Sequence, residues 1–311
     1  MSGPINGVIP VMLTPFTADD RVDFDGLGNL IEWYLAKGAD ALFAVCLSSE
    51  MFHLSRDERR AIGRFVVDRV RGRVPVLVSG HVSESPDEQA ADLHAATDSG
   101  ADAVVLITNR LGTDPADFRP RLDALMRAVP ADMGLGLYEC PQPQRRLLSD
   151  DELQYCAATG RFRVLKDVSC DLDVIRRRLD LLAGSGLAIC NANAAIAFDA
   201  ITSGARGFCG IFSNFAPDLY QWLLDHGEQQ PELAARIAPM LSLGSLCERF
   251  GYPALAKRYH RRLGTFASEK ARAPGPDFDL DNVCWAADAV LESLDAAIQM
   301  ARADITASRR P

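Results

Sequence analysis

Two residues of this chain have types and spacing suited to carbonyl chemistry: Tyr138 in "MGLGLYEC" and Lys166 in "RFRVLKDVSC". Lys166 stands in an otherwise apolar run, so its side chain either snorkels to water or serves a task that needs a buried amine. Burial disfavours an ammonium, and a neutral amine attacks carbonyl carbons to form an imine. The alternative is a structural lysine paired with Asp167 or Asp171 at a strand edge, and position alone leaves both readings open. Tyr138 adds weight to the first. A phenol beside an imine-forming lysine can relay protons during carbinolamine formation and C–C bond cleavage. Taken singly, that tyrosine could equally pack its ring in a core and turn its hydroxyl outward.

Whether these side chains meet depends on the elements that carry them. Apolar runs recur at 7–16, 39–46, 74–80, 101–108, 133–140, 162–169, 186–191 and 205–212. They are nearly continuous in apolar residues, as expected of strands covered on both faces. Amphipathic helical segments lie between them. Over 55–70, Ser55 and Glu58 have the spacing of a capping box, and over 85–100 a Ser-Pro start and a final glycine mark both ends. Eight strand–helix units in about 225 residues predict a (β/α)8 TIM barrel over 1–226. A doubly wound open sheet is the alternative, but the turn after the first strand, "TPFTADDRVD", lacks a glycine-rich dinucleotide fingerprint. Residues 227–311 show no strand pattern. They predict a C-terminal helical extension of about three helices, over 231–251, 253–267 and 280–305, with a Pro/Gly/Asp linker at 271–281.

Composition narrows the function classes. A chain of 311 residues, 48% hydrophobic, can bury a large core, and its net charge of −9 argues against nucleic acid or an anionic membrane surface as partner. No apolar stretch approaches the roughly 18 residues of a membrane span, and the opening "MSGPINGVIP" has no signal-peptide pattern. The eight cysteines form no CxxC pair. A cytoplasmic protein with reduced thiols is the expectation.

In a barrel of this kind the active site lies at the C-terminal ends of the strands. That selects Thr14, Ser48, Ser49, Glu50, Gly80, His81, Thr108, Asn109, Tyr138, Glu139, Lys166, Asp167, Asn191, Asn193 and Cys209. His81 is a candidate acid/base or polar anchor, or a structural histidine bonded to loop backbone. Arg110 is a candidate carboxylate clamp, or a solvated loop charge. Cys46, Cys140, Cys190 and Cys209 fall near strand ends without metal-ligand spacing, so no metal is expected.

The chain resembles the dihydrodipicolinate synthase/N-acetylneuraminate lyase family. The residues that carry the resemblance are the TPF segment at 14–16, the V-D-x-x-x-L helix start at Val22, and "CLSSE" at 46–50 for the family's G-S/T-T-G-E loop. "GLYECP" is similar to its L-Y-N-x-P segment and "VLKDVS" to its Schiff-base segment. The resemblance implies a class I mechanism without metal or organic cofactor: Lys166 forms an imine with a 2-oxo acid, typically pyruvate, and Tyr138 handles protons. It implies that Ser48 holds the substrate carboxylate, and that the protein is a homo-oligomer, a dimer or tetramer. Ser49, His81, Arg110, Asn193 and Cys209 complete the expected substrate-binding set.

Departures from the family pattern are informative. Leu47 replaces a hydroxyl and Ser49 a glycine in the strand-two loop, Leu111 replaces the strand-four tyrosine, and Pro143 replaces an arginine that in the synthases holds the second substrate. Arg145 and Arg146 follow closely. These losses point away from the lysine-biosynthetic reaction. The expected function is a carbon–carbon lyase (aldolase type) acting on a pyruvate-like 2-oxo acid. The alternatives are a Schiff-base dehydratase of a deoxy-sugar acid, whose loop "CLSSEMFHLS" resembles, and a non-catalytic small-molecule-binding barrel.

Overall fold

A computed structural model describes residues 3–112 and 114–308. The outer ends of the two expected units, Met1–Ser2 and residues 309–311, lie outside the described residues. Eight parallel strands form one sheet: β1 (Gly7–Val8), β2 (Leu42–Ala44), β3 (Val76–Ser79), β4 (Ala103–Ile107), β5 (Gly134–Tyr138), β6 (Phe162–Asp167), β7 (Ala188–Asn191) and β8 (Gly207–Phe208). Their order is β1-β8-β7-β6-β5-β4-β3-β2. A parallel bridge between Val11 and Phe43 joins the two ends, with the Met12 amide donating to the Phe43 carbonyl at 3.0 Å and the Phe43 amide to Pro10 at 3.0 Å. The expected TIM barrel is formed.

Between the strands run α1 (Phe24–Ala36), α2 (Arg56–Val70), α3 (Pro86–Asp98), α4 (Pro115–Arg127), α5 (Asp150–Ala158), α6 (Leu172–Leu181), α7 (Ala197–Thr202) and α8 (Pro217–His226). Their starts follow the sequence signals. Ser55 and Glu58 close a reciprocal capping box on α2, and Ser85 caps α3 with Pro86 at its first position. Because helices cover the outside and side chains fill the inside, the strands are buried except at Gly7, Gly134 and Arg163 near their N-terminal ends, which is why they read as nearly unbroken apolar runs. The first strand is shorter than the apolar run 7–16. Gly7 and Gly207 pair across the β1–β8 seam, where a Cβ on Gly207 would lie 2.1 Å from the Gly7 carbonyl oxygen.

After α8 follow α9 (Pro231–Gly244), α10 (Ala254–Arg262), α11 (Leu280–Val283) and α12 (Ala287–Ser308). The expected third helix over 280–305 is therefore two, broken at Cys284–Ala286, where Ala286 takes a left-handed φ of 59° that no helix interior allows. Residues 263–279 form no helix and bond to the loops after β1 and β2, through Lys270, Arg272 and Ala273 to Asp20, Glu50 and His53. Among the described residues no helix is long and apolar enough to cross a membrane.

Candidate active site

Tyr138 and Lys166 are register partners on β5 and β6, at the C-terminal ends of both strands. Their side chains meet inside the barrel: Lys166 Nζ lies 4.3 Å from the centroid of the Tyr138 ring and 5.8 Å from that of Phe43. Phe43 meets Tyr138 edge-on at 5.7 Å. Both site residues are buried. Burial raises the Tyr138 hydroxyl well above the usual phenol range, as do the neighbouring thiols of Cys140 and Cys46, so the phenol is held protonated.

Neither candidate carboxylate pairs with the lysine. Successive residues of a strand point to opposite faces, so Glu139 and Asp167 face outward where Tyr138 and Lys166 face in. Both outward carboxylates bind Arg178 of α6, through Nη2 to Glu139 Oε1 at 2.7 Å and through Nη1 to Asp167 Oδ2. Asp171 is spent too, accepting from the Asp173 and Val174 amides as the N-cap of α6. The strand-edge ion pair considered from sequence is thus not made.

The loop after β2 is a short 3₁₀ turn, Leu47–Ser49. Ser48 is buried, and its hydroxyl faces that of Tyr252, which accepts from Asn214 Nδ2 at 3.0 Å. Ser49 has a different task from Ser48. Its Oγ donates to the Met12 carbonyl at 2.7 Å and accepts from the Cys46 amide at 3.0 Å, so the hydroxyl pins the turn. Glu50 follows in a left-handed conformation, φ 60°. Its carboxylate accepts from Lys257 Nζ and from the backbone amides of Arg272 and Ala273. Lys257 also donates to the Lys270 carbonyl at 2.8 Å. Burial lowers Lys257 to about 8 against the pull of Glu50, but these bonds engage its amine, which distinguishes it from Lys166.

His81 is fully buried at the end of β3. Its Nδ1 accepts from the Ile107 amide at 3.2 Å, leaving Nε2–H without a partner among the described residues. Burial, then the positive charge of Arg110, pushes it down to about 3, so the ring is neutral. The Arg110 side chain is only 14% exposed, lying between Glu84 (3.3 Å) and the Phe52 ring, with a buried Nε that has no partner among the described residues. It is not a solvated loop charge. Asn109 Nδ2 donates to the carbonyls of Cys140, Gln142 and Gln144, fastening the loop after β5.

Asn193 accepts from the Ala195 amide at 2.8 Å and Asn191 bonds its backbone on both sides, so this asparagine pair shapes the loop after β7. Cys209 is buried close enough to Lys166 for its charge to be felt, yet burial dominates and raises the thiol to about 12. Leu111, at the position of the family's strand-four tyrosine, is buried. Arg145 donates to the Val168 and Ser169 carbonyls, and Arg146 pairs with Glu152, so both have partners within the chain. Sequence reasoning missed Phe43, Arg178, Tyr252 and Lys257. Their apolar or amphipathic contexts carry no local signal of a site.

A (β/α)8 barrel with a lysine and a tyrosine side by side in its mouth, on the sixth and fifth strands, is the class this geometry defines. The model of the dihydrodipicolinate synthetase family matches residues 4–282, and the chain belongs to that family. The 4-hydroxy-tetrahydrodipicolinate synthase of Methanothermobacter thermautotrophicus is 30% identical over 221 residues, 68% of this chain and 76% of that protein. Among solved structures, the corresponding synthase of Methylacidiphilum fumariolicum superposes with a TM-score of 0.83 at 18% identity, covering 97% of this chain and 98% of that one. YagE, an Escherichia coli prophage protein of the same family solved in complex with pyruvate, gives 0.81 at 23% identity over 96% and 98%.

Proposed function

We propose that this chain is a class I lyase that forms a Schiff base between Lys166 and a pyruvate-like 2-oxo acid and makes or breaks a C–C bond. The observation that carries the reading is the contact of Lys166 Nζ with Tyr138 while both adjacent carboxylates are held by Arg178. An amine not tied up by an anionic partner is available to attack C2 of the oxo acid. Tyr138 passes a proton as the carbinolamine loses water. The iminium then draws electrons from the C3–C4 bond as it cleaves, or releases a C3 proton to give the enamine that attacks an aldehyde.

Ser48 takes the substrate carboxylate with its hydroxyl. The distal end of the substrate falls to His81 Nε2–H and Arg110 Nε, two buried donors without partners among the described residues, while Cys209 and Asn193 border the remaining sides. Leu47, Leu111 and Pro143 support a reaction other than that of the synthases, since each puts a side chain without hydrogen-bonding groups where that resemblance calls for a polar one. The proposal includes a homo-oligomer, consistent with Trp285 at 84% and Met300 at 70% exposure in the C-terminal region.

The test is borohydride reduction in the presence of a panel of 2-oxo acids, followed by peptide mass spectrometry. An adduct on Lys166 is expected; its absence across the panel overturns the proposal and favours the binding-protein alternative. Product analysis separates a lyase, which yields two fragments, from a dehydratase, which keeps the carbon chain whole.

A further inference from the structure

We infer that Arg178 is a positioning residue for the reaction at Lys166, setting the relative placement of the phenol and the amine from behind the sheet. The inference rests on the Schiff-base reading above and deepens it. Glu139 and Asp167 directly follow Tyr138 and Lys166, so whatever fixes the two carboxylates fixes the two reacting side chains on the other face. Arg178 holds both at once. Nη1 reaches Glu139 Oε2 at 3.1 Å and Asp167, and Nη2 reaches Glu139 Oε1 at 2.7 Å and the Leu148 carbonyl at 2.9 Å.

The carboxylates extend the clamp. Glu139 accepts from the Leu148 amide at 2.8 Å and the Val168 amide at 3.1 Å, and Asp167 accepts from the amide and hydroxyl of Ser169. The ends of β5 and β6, the segment before α5, and α6 are thereby tied to one guanidinium. The fork is planar, so it sets direction as well as distance, which a lysine in its place would not.

Energetics argue against a role in stability alone. All three side chains are essentially inaccessible, and together they bury two carboxyl groups against one guanidinium. A buried charged triad is commonly no better for stability than packed apolar residues. What it supplies here is registration. Reaction rates respond steeply to such placement, by about 100-fold for roughly 1 Å.

The experiment compares two variants with the unmodified chain. Arg178→Lys keeps the charge and loses the fork. The neutral triple variant Glu139→Gln/Asp167→Asn/Arg178→Met buries no charge and keeps an acceptor for the Ser169 amide and for one of the Leu148 and Val168 amides. Borohydride trapping of pyruvate is followed over pyruvate concentration and pH, with thermal unfolding measured alongside. Arg178→Lys is expected to lower the saturating trapping rate by about 10–100-fold and to change the half-saturating pyruvate concentration far less. The triple variant is expected to fold, with a somewhat lower unfolding temperature from the one amide left without an acceptor, yet to stay equally slow.

A folded Arg178→Lys variant that traps within about twofold of the unmodified chain overturns the inference, as does a triple variant that recovers the full rate. A triple variant that cannot fold overturns it too, since the clamp would then serve the fold itself. No trapping by the unmodified chain is a separate outcome, which removes the Schiff-base reading.

Discussion

Lys166 and Asp167 are neighbours in β6 with opposite fates: the amine lies against the Tyr138 ring inside the barrel, and the carboxylate binds Arg178 outside it. Strand alternation separates them as completely as distance would. A lysine followed by an acid reads as a local ion pair in one dimension, and the fold places the two on opposite faces of the sheet.

Replacing Tyr138 by phenylalanine keeps the ring against Lys166 and removes only the hydroxyl. The saturating rate of pyruvate trapping should fall by about 10²–10⁴-fold, the usual worth of a proton-transfer group. Lys166→Arg should abolish trapping while leaving the thermal midpoint within a few degrees. Single-turnover trapping with calorimetry reads both outcomes.

Acid should destabilise the protein through two neutral histidines. Burial holds His81 at about 3 and His260 at about 4, against 6.5 for an exposed imidazole. Between those values the unfolded chain binds protons that the folded chain refuses, so this stability is intact above about pH 6.5 and is lost as pH falls toward 3–4. His81→Gln should remove about 2 kcal/mol of the loss between pH 7 and 5. Urea unfolding at the two pH values measures the difference, and an unchanged difference would contradict a neutral, buried His81.

Glu50 and Lys257 form a fully buried ion pair. Lys257→Met should strand the carboxylate and cost about 3–5 kcal/mol, and Glu50→Gln/Lys257→Met together should cost less than Lys257→Met alone. Denaturant melts of both variants check the order.

Gly207→Ala should destabilise by ~3 kcal/mol or more, because the new methyl meets the Gly7 carbonyl oxygen across the barrel seam. The same change at Gly72, with open space around it and a φ of 70°, should cost only about 1 kcal/mol. Paired thermal melts compare them.

The barrel was legible in the sequence because its period is carried by many residues: eight apolar runs and the caps of α2 and α3 each point the same way. Lys166 and Tyr138 were legible because they interrupt such runs at strand ends. Arg178 was not. It sits in an arginine-rich helix, "VIRRRLD", where one of three adjacent arginines is buried and the pattern does not say which. Lys257 was hidden likewise in "AKRYHRR". Ser49 illustrates the converse, since its place in the loop suggested a ligand and three-dimensional contacts assign its hydroxyl to the backbone. The break before α12 escaped because "NVCWAADAV" has good helical composition and only the left-handed Ala286 interrupts it.

The lacing of the C-terminal chain to the mouth bears on how such proteins can be recombined. Glu50 receives Lys257 and the Arg272 and Ala273 amides, Asn214 sits between Tyr34 and Tyr252, and His260 donates to the Asn214 carbonyl at 2.9 Å. The helices after residue 226 are therefore not an interchangeable cassette. A chimaera that took them from a relative would need to import the matching residue at position 50 and its neighbours, or the loop bearing Ser48 would lose its anchor while the barrel behind it stayed whole.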